Sequence, residues 1–205
     1  MTIGLTTLLV LAGLWGAAFT LAAMTPAWYR PISADNTIAE ADSERIEFRI
    51  QQELQRIRMD PGWTLRLPDN VANAWLATRL PQWLQGQGID WPNGVGTPQV
   101  RIRSGVIEVA APVDDLNGRI GRLDLVPQVT AHGLRLVPTT ARVGRLPIGL
   151  PAHRVLGDLD GLALLHRPVP RLMDLIDARH VVLMDIRPKD GAIELLFETR
   201  SGPVP

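Results

Sequence analysis

The residues that could carry catalysis or hold a metal are few and poorly spaced. His132, His153, His166 and His180 form no metal-ligand spacing, and the chain has no H-E-x-x-H helix. Ser33, Ser43, Ser104 and Ser201 include no G-x-S-x-G elbow. Cysteine is absent, which removes thiolate metal sites, disulfides and cysteine nucleophiles. Gly157–Asp158–Leu159–Asp160–Gly161 has the alternating carboxylates of a calcium loop, but lacks the further oxygen ligands and the late glutamate. Asp158 therefore reads as a solvent-facing helix residue. Asp114–Asp115, just ahead of Asn117–Gly118, reads as part of a turn, and Gly86–Gln87–Gly88 lacks the spaced glycines and helix of a dinucleotide site. No catalytic residue, metal or cofactor is expected. An enzyme would need Arg, His and carboxylate side chains converging in one pocket.

The charges point the same way. Lys+Arg and Asp+Glu each total 21, so the formal net charge is zero, without the basic excess of a nucleic-acid binder. Lys189 is the sole lysine. The arginines look scattered along the chain, which reads as coding composition rather than a set of phosphate or carboxylate forks. Hydrophobic residues make up 46% of the chain, enough for the core of one domain.

Any site must be positioned by the elements around it, and the first is apolar. Ile3 to Met24 carries no charged residue over about 22 positions, and a bilayer core needs about 20. Trp28 and Tyr29 follow, rings of the kind that settle at headgroup level, then Arg30. No lysine or arginine precedes the run, so a retained transmembrane anchor is expected rather than a cleaved signal peptide. The expected division is an anchor at 1–25, a juxtamembrane segment with an amphipathic helix at 26–62, and an α+β domain at 63–205.

Within that division, Asp35 to Met59 is predicted helical, with Ile46, Ile50, Leu54 and Ile57 on one face and Asp35 or Ser43 as cap. Trp63 to Leu67 alternates as a strand. Val71 to Leu84 is predicted helical, capped by Asp69 or Asn70 and kinked or ended at Pro81. Gln85 to Pro98 is a loop. Val100 to Arg103 and Ile107 to Val113 form a hairpin about Ser104–Gly105, with further strands at Leu123–Leu125 and Leu134–Leu136 joined by a turn at His132–Gly133. Pro138 to Leu150 reads as irregular. Helices are predicted at Pro151–Leu165 and Val169–Ala178, then a closing hairpin, His180–Arg187 and Ala192–Arg200, about Asp190–Gly191. The fold class is α+β: an N-terminal transmembrane helix, then a meandering antiparallel sheet packed on or wrapped around helices. In the closing hairpin, Val182, Met184, Ile186 and Leu196 lie opposite Val181, Leu183, Ile193 and Leu195, so both faces are apolar. Helices on each face would explain that, and so would a sheet curved around an apolar groove.

Several short motifs resemble the YpmS-like family of membrane-anchored bacterial proteins. They are Asp69–Asn70–Val71–Ala72–Asn73–Ala74–Trp75–Leu76; Val100, Ile102, Gly105 and Ile107 as V-x-I-x-x-G-x-I; Gly133–Leu134–Arg135–Leu136; and Gly144–Arg145–Leu146–Pro147 with Leu150–Pro151. The resemblance covers most of residues 63–165. It implies a layout like the tubular lipid-binding proteins and a domain outside the cytoplasm of a bacterial inner membrane. It supplies no catalytic residues.

The expected function is a membrane-anchored, non-catalytic envelope protein with a lipid or acyl chain in an apolar groove. Trp75, Leu76, Leu80, Ile107, Val109, Leu134 and Leu136 are its candidate lining. The alternative is a structural or assembly factor that meets a membrane-protein partner through an exposed apolar patch. The expected partners are the membrane through the N-terminal helix, a lipid ligand or a membrane protein, and no nucleic acid.

Overall fold

A computed structural model describes residues 15–131, 133–148, 172–175 and 177–201. Residues 15–23 are helical (α1). Among the described residues no helix is long and apolar enough to cross a membrane. Residues 3–14 of the expected span lie outside the described residues, as do the helix expected at 151–165, His132, His153, His166 and Asp158.

Helix α2 (Thr37–Gln55) is capped by Asn36, whose side-chain oxygen accepts from the Ile38 and Ala39 amides at 3.0 Å. Neither expected cap serves. Asp35 is taken up by the Ser33 hydroxyl, and Ser43 is buried inside the helix. The helix stops at Gln55 rather than Met59. Arg58 turns back to donate to the Glu53 carbonyl at 2.6 Å, and Ile57 is left 85% exposed beyond the end. The predicted helix at 71–84 divides at Arg79 into α3 (Asp69–Thr78) and α4 (Leu80–Gly86), with Pro81 in the opening turn of α4, where its missing amide costs no hydrogen bond. Neither Asp69 nor Asn70 caps α3. The chain enters from a strand through Pro68, and the Asp69 amide donates instead to the Gly191 carbonyl at 3.0 Å.

The strands form two antiparallel sheets. One joins β1 (Gly62–Pro68), β9 (Ala192–Ser201), β8 (Arg179–Lys189) and β7 (Leu172–Asp174), in that order. The other is a meander of β2 (Gln99–Arg103), β3 (Val106–Val113), β4 (Arg119–Thr130), β5 (Gly133–Val143) and β6 (Leu146–Ile148). The α+β class therefore holds. Two local expectations do not. The stretch after Pro138 is strand, because the long β4 offers it a ladder to pair with as far as Val143. Leu172–Asp174 is strand rather than helix, because it pairs with His180–Val182 at the edge of β8.

One core cluster lies on one face of the four-stranded sheet. Leu65, Val181, Leu183 and Phe197 are buried there, with Ile50 and Leu54 of α2 packed on them. Val129 and Leu134, beside the β4–β5 turn, join the same cluster. Each large side chain so buried contributes about 1.5–3 kcal/mol. A bulge at Met184 changes the alternation: Leu183 pairs with Phe197 and Ile186 with Leu195. Ile186, expected on the opposite face, thereby joins the core. The sheets are clasped at their hairpin tips. The Gly105 amide donates to Pro188, the Gly191 amide to Ile102, and the Ser104 amide to the Asp190 side chain, at 2.9–3.0 Å.

Candidate functional site

The seven expected groove residues fall into two sets. Ile107, Val109, Leu134 and Leu136 share one face of the five-stranded sheet, where Ile107 pairs with Leu125, Val109 with Leu123, Leu136 with Pro127 and Leu134 with Val129. Leu134 is already committed to the core under α2. Trp75, Leu76 and Leu80 belong to the helices. The Trp75 indole donates to Glu47 of α2 at 2.9 Å and meets Trp83 edge to face at 6.2 Å, so it turns toward α2 and α4. Helix α3 meets the sheet through Asn73, whose amide group both donates to and accepts from the Val100 backbone. That pairing covers the open edge of β2.

The opposite face of the same sheet is ionic. Arg101, Glu108, Asp124 and Thr140 lie side by side across four strands, with Arg122 and Arg142 one pair along. Glu108 is fully buried and is held by Arg101 at 2.7 Å, by Arg122 and by Arg103 at 3.6 Å. Asp124 is held by Arg142 at 3.1 Å and Arg103 at 3.5 Å. Four guanidinium groups thus surround two carboxylates. Four of the twenty arginines, from three separate stretches of the sequence, thus meet in space. The signal was present in the alternation of Val100–Arg101–Ile102–Arg103, which puts both arginines on one face, and in Glu108 inside a strand.

The exit of α1 covers this face. The Leu21 carbonyl accepts from the Arg145 amide at 2.8 Å, and Gly144 adopts a left-handed conformation against the carbonyls of Leu21, Ala22 and Met24. Tyr29 is buried against Ala110 and Ile120, and its hydroxyl donates to the Thr97 carbonyl at 3.2 Å. Burial raises the pKa of that phenol. The Arg30 amide donates to the Gln99 side chain at 2.9 Å, and Gln99 donates back to the Arg30 carbonyl. Between this strap and the sheet lies an open hollow of about 480 Å3, lined by Pro26, Ala27, Trp28, Arg101, Arg122 and Arg145. Arg101 stacks over the Trp28 ring at 5.2 Å.

A second open hollow, of about 460 Å3, is mostly apolar and includes Trp63, Met184, Leu196 and Phe197. None of the seven groove residues lines either hollow. Glu108 accepts two guanidinium hydrogen bonds from Arg101 on Oε2 and one from Arg122 on Oε1. Among the described residues no group of three or more His, Asp or Glu side chains could hold a metal ion. His180 lies 2.6 Å from Asp174, its direct neighbour across the β7–β8 pair, well removed in sequence from the arginine face. The chain matches no family model, no curated protein and no solved structure. The likeness to the YpmS-like family therefore rests on its short motifs alone.

Proposed function

We propose that this chain is a single-pass, membrane-anchored envelope protein without catalytic activity, presenting its α+β domain outside the cytoplasm as a binding module. The observation that carries the reading is the join between the apolar N-terminal run and the domain. The C-terminal turn of α1 is bonded directly to the β5–β6 turn, while Trp15 on the same helix stands exposed and Phe19 carries the Arg119 guanidinium 4.3 Å over its ring. An exposed tryptophan on a helix locked to a folded domain suits a lipid surrounding better than water. The test is alkaline carbonate extraction of membranes from bacteria expressing residues 1–205, followed by protease treatment of intact spheroplasts. Retention in the pellet with cleavage from outside is expected. Release into the supernatant would overturn the reading.

Two ligands suit such a module. An acyl chain is favoured by the apolar sheet face shared by Ile107, Val109 and Leu136. A membrane-protein partner, as for an assembly factor, is favoured by the open hollow at Trp63 and Phe197, where Met184 is 45% exposed. Native mass spectrometry with lipid extraction separates them. Co-purified lipid lost on Val109→Glu supports the acyl chain; a clean apo mass supports the partner.

A further inference from the structure

We propose that the hollow between the Pro26–Trp28 strap and the five-stranded sheet binds a phosphoryl anion, supplied by a phospholipid headgroup or by free phosphate. The charge is the first argument. Among the described residues, Arg101, Arg103, Arg122 and Arg142 share two carboxylates, Glu108 and Asp124, and Arg145 adds a further exposed cation at the rim. Unfilled donors are the second. The Trp28 indole Nε1 and the Arg122 Nε are both buried with no hydrogen-bond partner among the described residues, and both residues line the hollow. A buried donor left unpaired is costly, so each is a reason for an acceptor to enter. The third is the setting of Arg122. Burial, and then the neighbouring Arg142, depress its pKa while Asp124 opposes them, and a further anion beside it would likewise favour the charged form. Guanidinium groups match phosphoryl oxygens in geometry and charge. The location of the hollow beside the exit of α1 favours a headgroup, and that choice of source rests on the membrane reading above. The anion site itself does not.

The test uses the full chain in a neutral detergent, titrated calorimetrically at low salt. One arm uses inorganic phosphate, the other a short-chain phosphatidylglycerol kept monomeric. Arg145→Ala is the informative variant. Its side chain has no role in the Glu108 network, and its backbone amide, which holds Leu21, is retained. The wild type is expected to bind at least one probe, about tenfold more tightly than Arg145→Ala. Arg187→Ala, on the other sheet, is expected to bind as the wild type does. Binding of both probes means that the phosphoryl group suffices; binding of the lipid alone assigns the site to a headgroup. Failure to bind either probe, or an Arg145→Ala affinity equal to the wild type, overturns the proposal. Carbonate extraction of the same chain keeps the two readings apart. A released protein that still binds phosphate loses its membrane location and keeps its site, whereas a retained protein that binds neither probe keeps its anchor and loses the site.

Discussion

The two sheets differ in what one face of each buries. The four-stranded sheet packs Leu65, Val181, Leu183 and Phe197 under α2, with few polar demands. The five-stranded sheet carries Glu108 and Asp124 on one face beneath the N-terminal strap, and meets their cost with four arginines. Hydrophobic burial is non-directional and tolerant of small shifts. A buried carboxylate is worth keeping only while every partner stays in place. The first sheet therefore reads as scaffold. The second is held by ion pairs, which added salt is expected to weaken.

Substitutions on the two sheets should separate these behaviours. The largest losses are expected at their centres. Phe197→Ala should cost about 3–5 kcal/mol through the cavity it leaves, by an amount little changed between low and high salt. Glu108→Ala should cost about 3–5 kcal/mol as well, because it strands arginines at close quarters. Added salt screens that repulsion, so its deficit should shrink in urea titrations at high ionic strength. Equal salt responses in the two variants would erase the distinction. Gly144→Ala comes next. With φ at +57° and a methyl group 2.5 Å from the Ala22 carbonyl, it should cost about 2 kcal/mol and undock the strap. Faster proteolysis between Met24 and Arg30 would report that, with the four-stranded core untouched. Ser43→Ala should cost about 1 kcal/mol by breaking the buried hydroxyl pair with Thr78 at 2.8 Å. Arg187→Ala should change stability by less than about 0.5 kcal/mol, since its pairing with Asp185 is exposed.

Much of the scaffold was legible in the chain. Ile46, buried, and Ile50 and Leu54, partly buried, mark the inward stripe of α2. Ser104–Gly105 and Asp190–Gly191 mark hairpin turns, and Gly105 and Gly191 take the positive φ that such turns require. The strand at Leu172–Asp174 was not legible, because three residues carry almost no periodic signal and their conformation follows from the edge of β8. The shift at Met184 was hidden for a related reason: one extra residue in a strand reverses the faces beyond it, and nothing in the local composition announces it. Asn73 of α3 satisfies the free edge of β2, a role that depends on where the strand lies and not on its neighbours along the chain.

The sequence by itself determined the class of this protein: an apolar N-terminal run, amphipathic helices, alternating strands and turn residues at the hairpins. Those are properties of neighbours along the chain, set by periodicity and by which backbone conformations each residue tolerates. Only the tertiary structure decided the character of the five-stranded sheet. Arg101, Glu108, Arg122, Asp124 and Arg142 come from four strands, and their meeting depends on register across the ladder. A shift of one residue in any strand would turn its charges to the other face, so no reading of one strand alone could assemble them.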